Sequence, residues 1–183
     1  FKLKKMNFDY NSFLIVLKKV TKNTFDGCLE RISRNELCGF GLYTDESVMS
    51  ISVSCNILSH LKELQDEEEG YDEYFKWTMG EWKYELINQK QFSQINEFLE
   101  DKFNEVEDNQ GLFVIHRKKI FSISVEVLEE LKNEKLFDNI NNNFVLMFGI
   151  SEFEDKDLEK EFVKKLNNDV NFLEFENWIN SEE

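Results

Sequence analysis

The 183-residue sequence contains no proline and has only seven glycines, three cysteines and two histidines. No proline-rich linker can therefore divide the chain, and no glycine-rich phosphate-binding loop is present. The cysteines, Cys28, Cys38 and Cys55, are odd in number and widely spaced, which excludes the C-x-x-C motifs of zinc knuckles and thioredoxin-like centres. Two of them lie in apolar stretches and are predicted to be core residues. Reduced thiols are typical of a cytoplasmic protein.

Motifs for catalysis or metal binding are also missing. Neither His60 nor His116 lies in an H-E-x-x-H motif or beside a nucleophile motif, and no G-x-S-x-G elbow occurs. The acidic run DEEEGYDE, residues 66–73, lacks the ligand spacing of an EF-hand. The basic run HRKK at residues 116–119 is predicted to be a solvated helix end. The sequence therefore predicts no catalytic residue, no metal ligand and no cofactor, and it favours a protein that is not an enzyme.

Long apolar runs are absent, and basic residues are few. No stretch approaches the roughly 20 apolar residues of a membrane span. The 37 acidic and 22 basic residues give a formal net charge of −15, which repels phosphate backbones and anionic lipids. Binding to nucleic acid or to a membrane is therefore not expected. A basic partner protein is compatible with this charge, as is a surface that merely keeps the protein soluble, and the oligomeric state is left open.

The sequence is rich in large hydrophobic residues. Hydrophobic residues make up 41% of the chain and include 18 phenylalanines, enough for a substantial core. The length suits one globular domain over residues 1–183, with residues 170–183 as an alternative C-terminal appendage.

The period of the apolar residues changes along the chain. A helical stripe predicts one long or two short helices over 9–34. The segment LCGFGLY and the alternating MSISVSC flank the polar TDES, which predicts a β-hairpin. Its register, and hence whether Gly39 and Gly41 share a face with the serines, is not determined by the pattern. Further helices are predicted over 56–67 with Asn56 as N-cap, over 88–106 beginning in a capping box, and over 120–134.

The continuous apolar run FVLMFGI, residues 144–150, predicts a central strand buried on both faces. A helix with Leu158, Phe162 and Leu166 inward follows it, and the short amphipathic segment 172–179 closes the chain. The predicted fold class is α+β. It has a small, mainly antiparallel sheet, formed by the N-terminal hairpin and the buried central strand, and several helices cover this sheet.

Trp77 and Trp82 flank T-x-x-E, which has the spacing of a capping box at Thr78 and Glu81. The two tryptophans then occupy the positions of a hydrophobic staple at the start of a helix from Met79 to about residue 86. The alternative is an aromatic binding platform.

Three segments carry a family resemblance: GFGLYTDES followed by ISVSCN, the segment KWTMGEWKYE, and FVLMFGISEFEDKDLEKEF. In order and spacing, from about residue 8 to residue 168, they resemble the bacterial domain of unknown function 4303 family. The resemblance implies a compact bacterial cytosolic α+β domain, and it brings no catalytic residue with it. By analogy, small acidic domains of this kind are found among toxin-neutralising immunity proteins.

Two hypotheses for function follow. In the first, the protein is a binding or inhibitor module for a basic partner, and its contact residues are Asp66, Glu67, Glu68, Glu69, Asp72, Glu73, Trp77 and Trp82. In the second, it is a small-ligand binder or an enzyme. Its pocket would then lie on the small-residue face of the hairpin, lined by Gly39, Gly41, Ser50, Ser52 and Ser54. Residues 74–85, which we call the tryptophan segment, would cover this pocket.

Overall fold

The computed structural model describes residues 9–181, so the predicted domain extends beyond the described residues at 1–8 and 182–183. A 3₁₀ turn spans Met79–Glu81. The element order is α1 (Tyr10–Leu29), β1 (Leu37–Asp45), β2 (Ile51–Ile57), α2 (Leu58–Glu67), α3 (Asp72–Trp77), β3 (Tyr84–Ile87), α4 (Gln89–Val106), α5 (Gln110–Asn133), β4 (Val145–Ser151), α6 (Lys156–Leu166) and α7 (Asp169–Ser181).

The four strands form one sheet in the order β3-β2-β1-β4. β1 pairs antiparallel with β2, and β2 pairs antiparallel with β3, whereas β1 and β4 run parallel. The α+β class and the β1–β2 hairpin are confirmed. The sheet is mixed, however, and is not purely antiparallel.

The prediction that residues 144–150 form a central strand is wrong, because β4 lies at an edge of the sheet. Its burial pattern is nevertheless the one expected, since helices cover both of its faces. Asn167 caps the open edge: its Oδ1 accepts from the Leu146 N–H at 2.9 Å, and its Nδ2 donates to the Leu146 carbonyl at 2.8 Å. Asn171 donates in the same way to the carbonyl of Phe144 at 3.1 Å. Two side-chain amides thus take the place of a neighbouring strand.

Helices cover both faces of the sheet. On one face α1, α4 and α5 pack through residues such as Phe13, Ile95 and Leu128 onto Phe40 and Val53. The other face carries a second cluster that joins the tryptophan segment, β4, α6 and α7. A smaller third cluster lies between α2, α3 and β1. This layered arrangement explains why β1 and β4 are buried along nearly their whole length.

Several predicted helix boundaries differ from those observed. The first predicted helix is a single helix that ends at Leu29. Asn56 is not a helix cap, because it lies in β2 and its Oδ1 accepts from the N–H groups of Ile57 and Lys83. Asn88 precedes α4 with a φ of 55° and makes no side-chain cap. The predicted helix over 120–134 is confirmed but begins earlier, at Gln110.

The capping box at Thr78 is not formed. The Thr78 side chain makes no cap hydrogen bond, and only the three-residue 3₁₀ turn follows it. Residues 84–87 then pair with β2 as β3, so the predicted helix to about residue 86 is wrong. Pairing with an existing sheet outweighs a local preference for helix of a few tenths of a kcal/mol per residue.

Candidate functional site

The six acidic residues predicted to contact a partner lie together where α2 passes into α3. We call residues 66–73 the acidic turn. Gly70 has a φ of 92°, a left-handed conformation that allows the reversal. Three hydrogen bonds hold the turn. The Glu68 N–H donates to the Leu64 carbonyl at 3.0 Å, the Tyr71 N–H donates to the Glu68 carbonyl at 3.4 Å, and Gln65 Nε2 donates to the Asp72 carbonyl at 3.0 Å. The carboxylates are therefore presented on a defined backbone.

All six carboxylates of the acidic turn are exposed. Residues 62–73, KELQDEEEGYDE, contain seven acidic side chains and one lysine. Among residues 9–181, none of the six acidic side chains of the turn takes part in a salt bridge. The turn is therefore a concentrated negative charge without an ion-pair partner in the described structure, and Lys62 is the one cation within this stretch of sequence.

A hollow of about 520 Å³ lies beside the acidic turn. Leu58 and Leu61 contribute apolar surface to it, and Leu61 is buried. Three carboxylates from the turn line it, namely Asp66, Glu69 and Asp72. An apolar surface with carboxylates beside it suits the aliphatic stem and cationic head of a lysine or arginine side chain.

Trp77 and Trp82 do not belong to this surface, because each is only 3% exposed. The ring of Trp77 packs on Phe175 at 5.2 Å between centroids, and Trp82 Nε1 donates to the Lys76 carbonyl at 3.2 Å. In the described structure neither ring is accessible as an anchor for a partner. Two aromatic side chains near them are exposed: Tyr71, within the acidic turn, at 55%, and Tyr84, in β3, at 40%.

The second hypothesis placed a pocket over the small residues of the hairpin. The register pairs Gly41 with Ser54 and Gly39 with Asn56, so the glycines do share a face with the β2 polar residues. That face is filled. A Cβ on Gly39 would lie 3.0 Å from the Trp82 ring, and a Cβ on Gly41 would overlap the carbonyl oxygen of Met147. The glycines are required for close packing, and no room for a ligand remains over them.

A separate cleft of about 710 Å³ lies between the C-terminal part of α1, β3 and the start of α4. Its lining includes the carboxylates of Asp26, Glu30 and Glu85 and the guanidinium of Arg31. Two residues next to or within the cleft, Leu86 and Asn88, have φ angles of 52° and 55°. No sequence motif indicated this cleft, because its walls come from segments far apart in the chain.

The cysteines Cys28 and Cys55 also line this cleft, whereas Cys38 packs with Leu61 and Phe75 near α2 and α3. All three are free thiols and buried. A side-chain hydrogen bond with Cys55 lowers the pKa of the Cys28 thiol, and the same bond raises the pKa of Cys55. Burial raises the pKa of Cys38 to about 12.

In the described structure, each histidine has a hydrogen-bonding contact with another element of the fold. His116 is buried in the interior of α5, and the predicted solvated helix end is therefore wrong for it. Its Nδ1 lies 2.9 Å from the Tyr10 hydroxyl, and burial lowers its pKa. His60 Nε2 lies 3.1 Å from the Glu81 carbonyl oxygen. Within residues 9–181, no three His, Cys, Asp or Glu side chains are placed to share a metal ion.

The fold and these surfaces define an α+β domain with helices on both sides of a small mixed sheet. In the described part of the chain, no helix is both long enough and apolar enough to cross a membrane. Residues 17–168 match the family described as domain of unknown function (DUF4303), and the chain belongs to that family. No curated protein matches the chain, and no solved structure does.

Proposed function

We propose that this protein is a non-catalytic binding module that uses the acidic turn to hold a basic partner protein. One observation carries the proposal: an exposed tyrosine, Tyr71, stands among six exposed carboxylates that have no cationic partner in the described structure, beside a partly apolar hollow. Interfaces take most of their energy from a few aromatic and arginine anchors set in pockets. Tyr71 supplies the aromatic anchor on this side, and the hollow receives a lysine or arginine from the partner.

The aromatic anchor is held by neighbouring rings. Tyr71 packs edge-on against Tyr74 at 6.2 Å between centroids, and Tyr74 packs in the same manner against Phe75 at 5.4 Å. The Tyr74 hydroxyl donates to Glu81 Oε1 at 3.1 Å. The contacts with Phe75 and Glu81 hold Tyr74 in place, and Tyr74 in turn restricts the ring of Tyr71. Tyr71 therefore loses little conformational freedom when a partner covers it.

The carboxylates contribute mainly to the rate of encounter and to the choice of partner. A concentrated negative charge steers a basic protein toward the turn, and added salt screens that attraction. Exposed charge pairs contribute only about 0.2–1 kcal/mol each to affinity. Loss of Tyr71 is therefore expected to cost more affinity than loss of any single carboxylate.

This surface suits a basic toxin encountered in a bacterial cytoplasm. With such a partner, the protein would be an immunity-like inhibitor. The support for this assignment is the charge of the acidic turn together with the absence of a recognised catalytic motif from the sequence. An inhibitor needs a rigid, complementary surface and no chemistry of its own.

The experiment compares pull-downs from a lysate of the native host, at low and at high salt. One variant carries Asp66→Asn, Glu69→Gln and Asp72→Asn. Its control carries Glu97→Gln, Glu100→Gln and Glu107→Gln, exposed residues of α4 and its C-cap, and changes the net charge equally. We expect the wild type and the control to recover the same basic protein at low salt and to lose it at high salt. The turn variant should recover little at either salt concentration.

Tyr71→Ala tests the anchor separately and should weaken binding by about 2 kcal/mol, or roughly 30-fold. Equal loss in the turn variant and the α4 control would show that net charge alone, and not the acidic turn, governs association. Recovery of no basic protein by the wild type at low salt would contradict the proposal.

A further inference from the structure

Two of the three thiols line the cleft between α1, β3 and α4, and the proposed binding function does not use them. We propose that Cys28 and Cys55 form a redox-active dithiol that a small, neutral hydroperoxide oxidises to a disulfide. This proposal is independent of the acidic turn.

The fold places the two cysteines at one cleft from different layers. Cys28 lies in the last turn of α1, and Cys55 lies on β2. They belong to the same core cluster, with exposures of 5% and 0%, and both line the cleft of about 710 Å³. Interaction between the two side chains lowers the pKa of Cys28 and raises that of Cys55. The dithiol is therefore shielded from bulk solvent except through the cleft, which gives a small molecule a route to it.

The backbone at Gly27 keeps that route open. Gly27 also lines the cleft, and a Cβ placed on it would have only Asn88 Nδ2 within 4 Å, at 3.7 Å. In the interior of a helix, glycine costs about 0.5–1 kcal/mol relative to alanine. A long side chain at this position would occupy cleft space that glycine or alanine leaves open.

The charges around the cleft select the oxidant. Asp26, Glu30 and Glu85 present carboxylates, and Arg31 is the basic residue of the lining. Anionic oxidants, such as peptide disulfides that carry several carboxylates, are repelled by this set. A neutral hydroperoxide is not repelled, and it is small enough to reach a thiol that is 5% exposed.

The two thiols have different roles. The hydrogen bond from Cys55 and the charge of Arg31 both favour the thiolate of Cys28, against the opposing effect of burial. Cys28, the more exposed of the two at the cleft, is therefore the attacking sulfur, and Cys55, which is fully buried and whose pKa is raised, is the resolving thiol. Cys38 is the internal control, because it lies outside the cleft and burial holds it in the thiol form.

The reaction has two steps. The Cys28 thiolate attacks one oxygen of the hydroperoxide. An S–O bond forms, the O–O bond breaks, and the leaving oxygen takes up a proton to depart as water or an alcohol. The Cys55 sulfur then attacks the Cys28 sulfur, so that an S–S bond forms, the S–O bond breaks and water leaves with the Cys55 proton. The two thiols are oxidised by two electrons in total, and the peroxide is reduced by two.

The test treats the native full-length protein with equimolar hydrogen peroxide and follows it by intact mass and non-reducing peptide mapping. We expect a monomer that has lost two hydrogen atoms and a linked pair of peptides containing Cys28 and Cys55. In Cys55→Ser, a sulfenic acid should accumulate on Cys28, where dimedone traps it. Cys38→Ser should behave like the wild type, and oxidation at Cys38 should be at least about tenfold slower than at Cys28.

Access through the cleft is tested at Gly27. Gly27→Met should slow the oxidation of Cys28 several-fold, whereas Gly27→Ala should leave its rate unchanged. The peptide map of the wild type stands even if a cysteine variant fails to fold. Oxidation of Cys38 at the rate of Cys28, linkage between two chains, or first reaction at Cys55 would each overturn the proposal.

Discussion

Replacing Asn167 removes the cap on the edge of the sheet at β4. The Asn167 side chain makes three hydrogen bonds: it accepts from the Leu146 N–H at 2.9 Å, and it donates to the carbonyls of Leu146 at 2.8 Å and Val163 at 3.1 Å. A typical hydrogen bond contributes about 0.5–1.5 kcal/mol net, and a buried group left without a partner costs about 1–3 kcal/mol. Asn167 is half-buried, so water replaces part of the loss. We expect Asn167→Ala to lower the free energy of unfolding by about 2–3 kcal/mol.

The assay is urea unfolding followed by circular dichroism, with Asn177→Ala, an exposed change on α7, as control. For a chain of this size, the expected loss corresponds to a fall in Tm of roughly 4–12 °C. Asn167→Asp gives a second readout, because it keeps the acceptor for the Leu146 N–H but turns an oxygen toward the two carbonyls. The free energy of unfolding of Asn167→Asp should approach that of the wild type as the pH falls toward about 4, because the carboxyl then gains a proton. If Asn167→Ala matched the control, the side chain would not cap the edge.

Three further predictions concern packing, capping and pH. Gly41→Ala should destabilise the protein by at least about 2 kcal/mol in thermal and urea melts, because the added Cβ would overlap the Met147 carbonyl oxygen. Thr78→Ala should change the free energy of unfolding by no more than about 0.5 kcal/mol, measured in thermal melts, because the Thr78 hydroxyl makes no cap. A decrease near 1 kcal/mol would instead show that the capping box forms. Burial raises the pKa of Glu159 from 4.5 to about 7, so the folded state holds this proton more tightly than the unfolded state does. Stability conferred by the protonated form is then lost as the pH rises from 4.5 to 7, and Glu159→Gln should flatten that part of the urea midpoint profile. A profile parallel to that of the wild type would contradict this assignment.

The tryptophan segment shows where reasoning from the sequence reached its limit. T-x-x-E between Trp77 and Trp82 satisfies the local rule for a helix start, yet the chain forms a 3₁₀ turn followed by a strand. The Trp82 ring is needed over Gly39, where a Cβ would lie 3.0 Å away. Burying a tryptophan against a glycine-lined sheet is worth more than one helix cap of about 1 kcal/mol. A contact between residues that lie far apart in sequence thus overruled a local signal.

The acidic turn shows the opposite case. Its exposure followed from composition, because a run of carboxylates cannot be buried without partners. The hollow beside it did not follow, since Leu58 and Asp72 come from different helices that only the tertiary fold brings to one concave surface. Tyr71 was missed for the same reason: the more hydrophobic tryptophans were the stronger sequence signal, and packing buried them.

The amino-acid sequence by itself determined the α+β class, the β1–β2 hairpin, the long helices and the strongly negative surface, because each depends on residue periodicity or on net charge within one segment. Only the tertiary structure decided the strand order, the position of β4 at an edge, the burial of both tryptophans and the cleft that Cys28 and Cys55 share. These features depend on contacts between segments distant in sequence, and such contacts are chosen by how all the elements fill the core together.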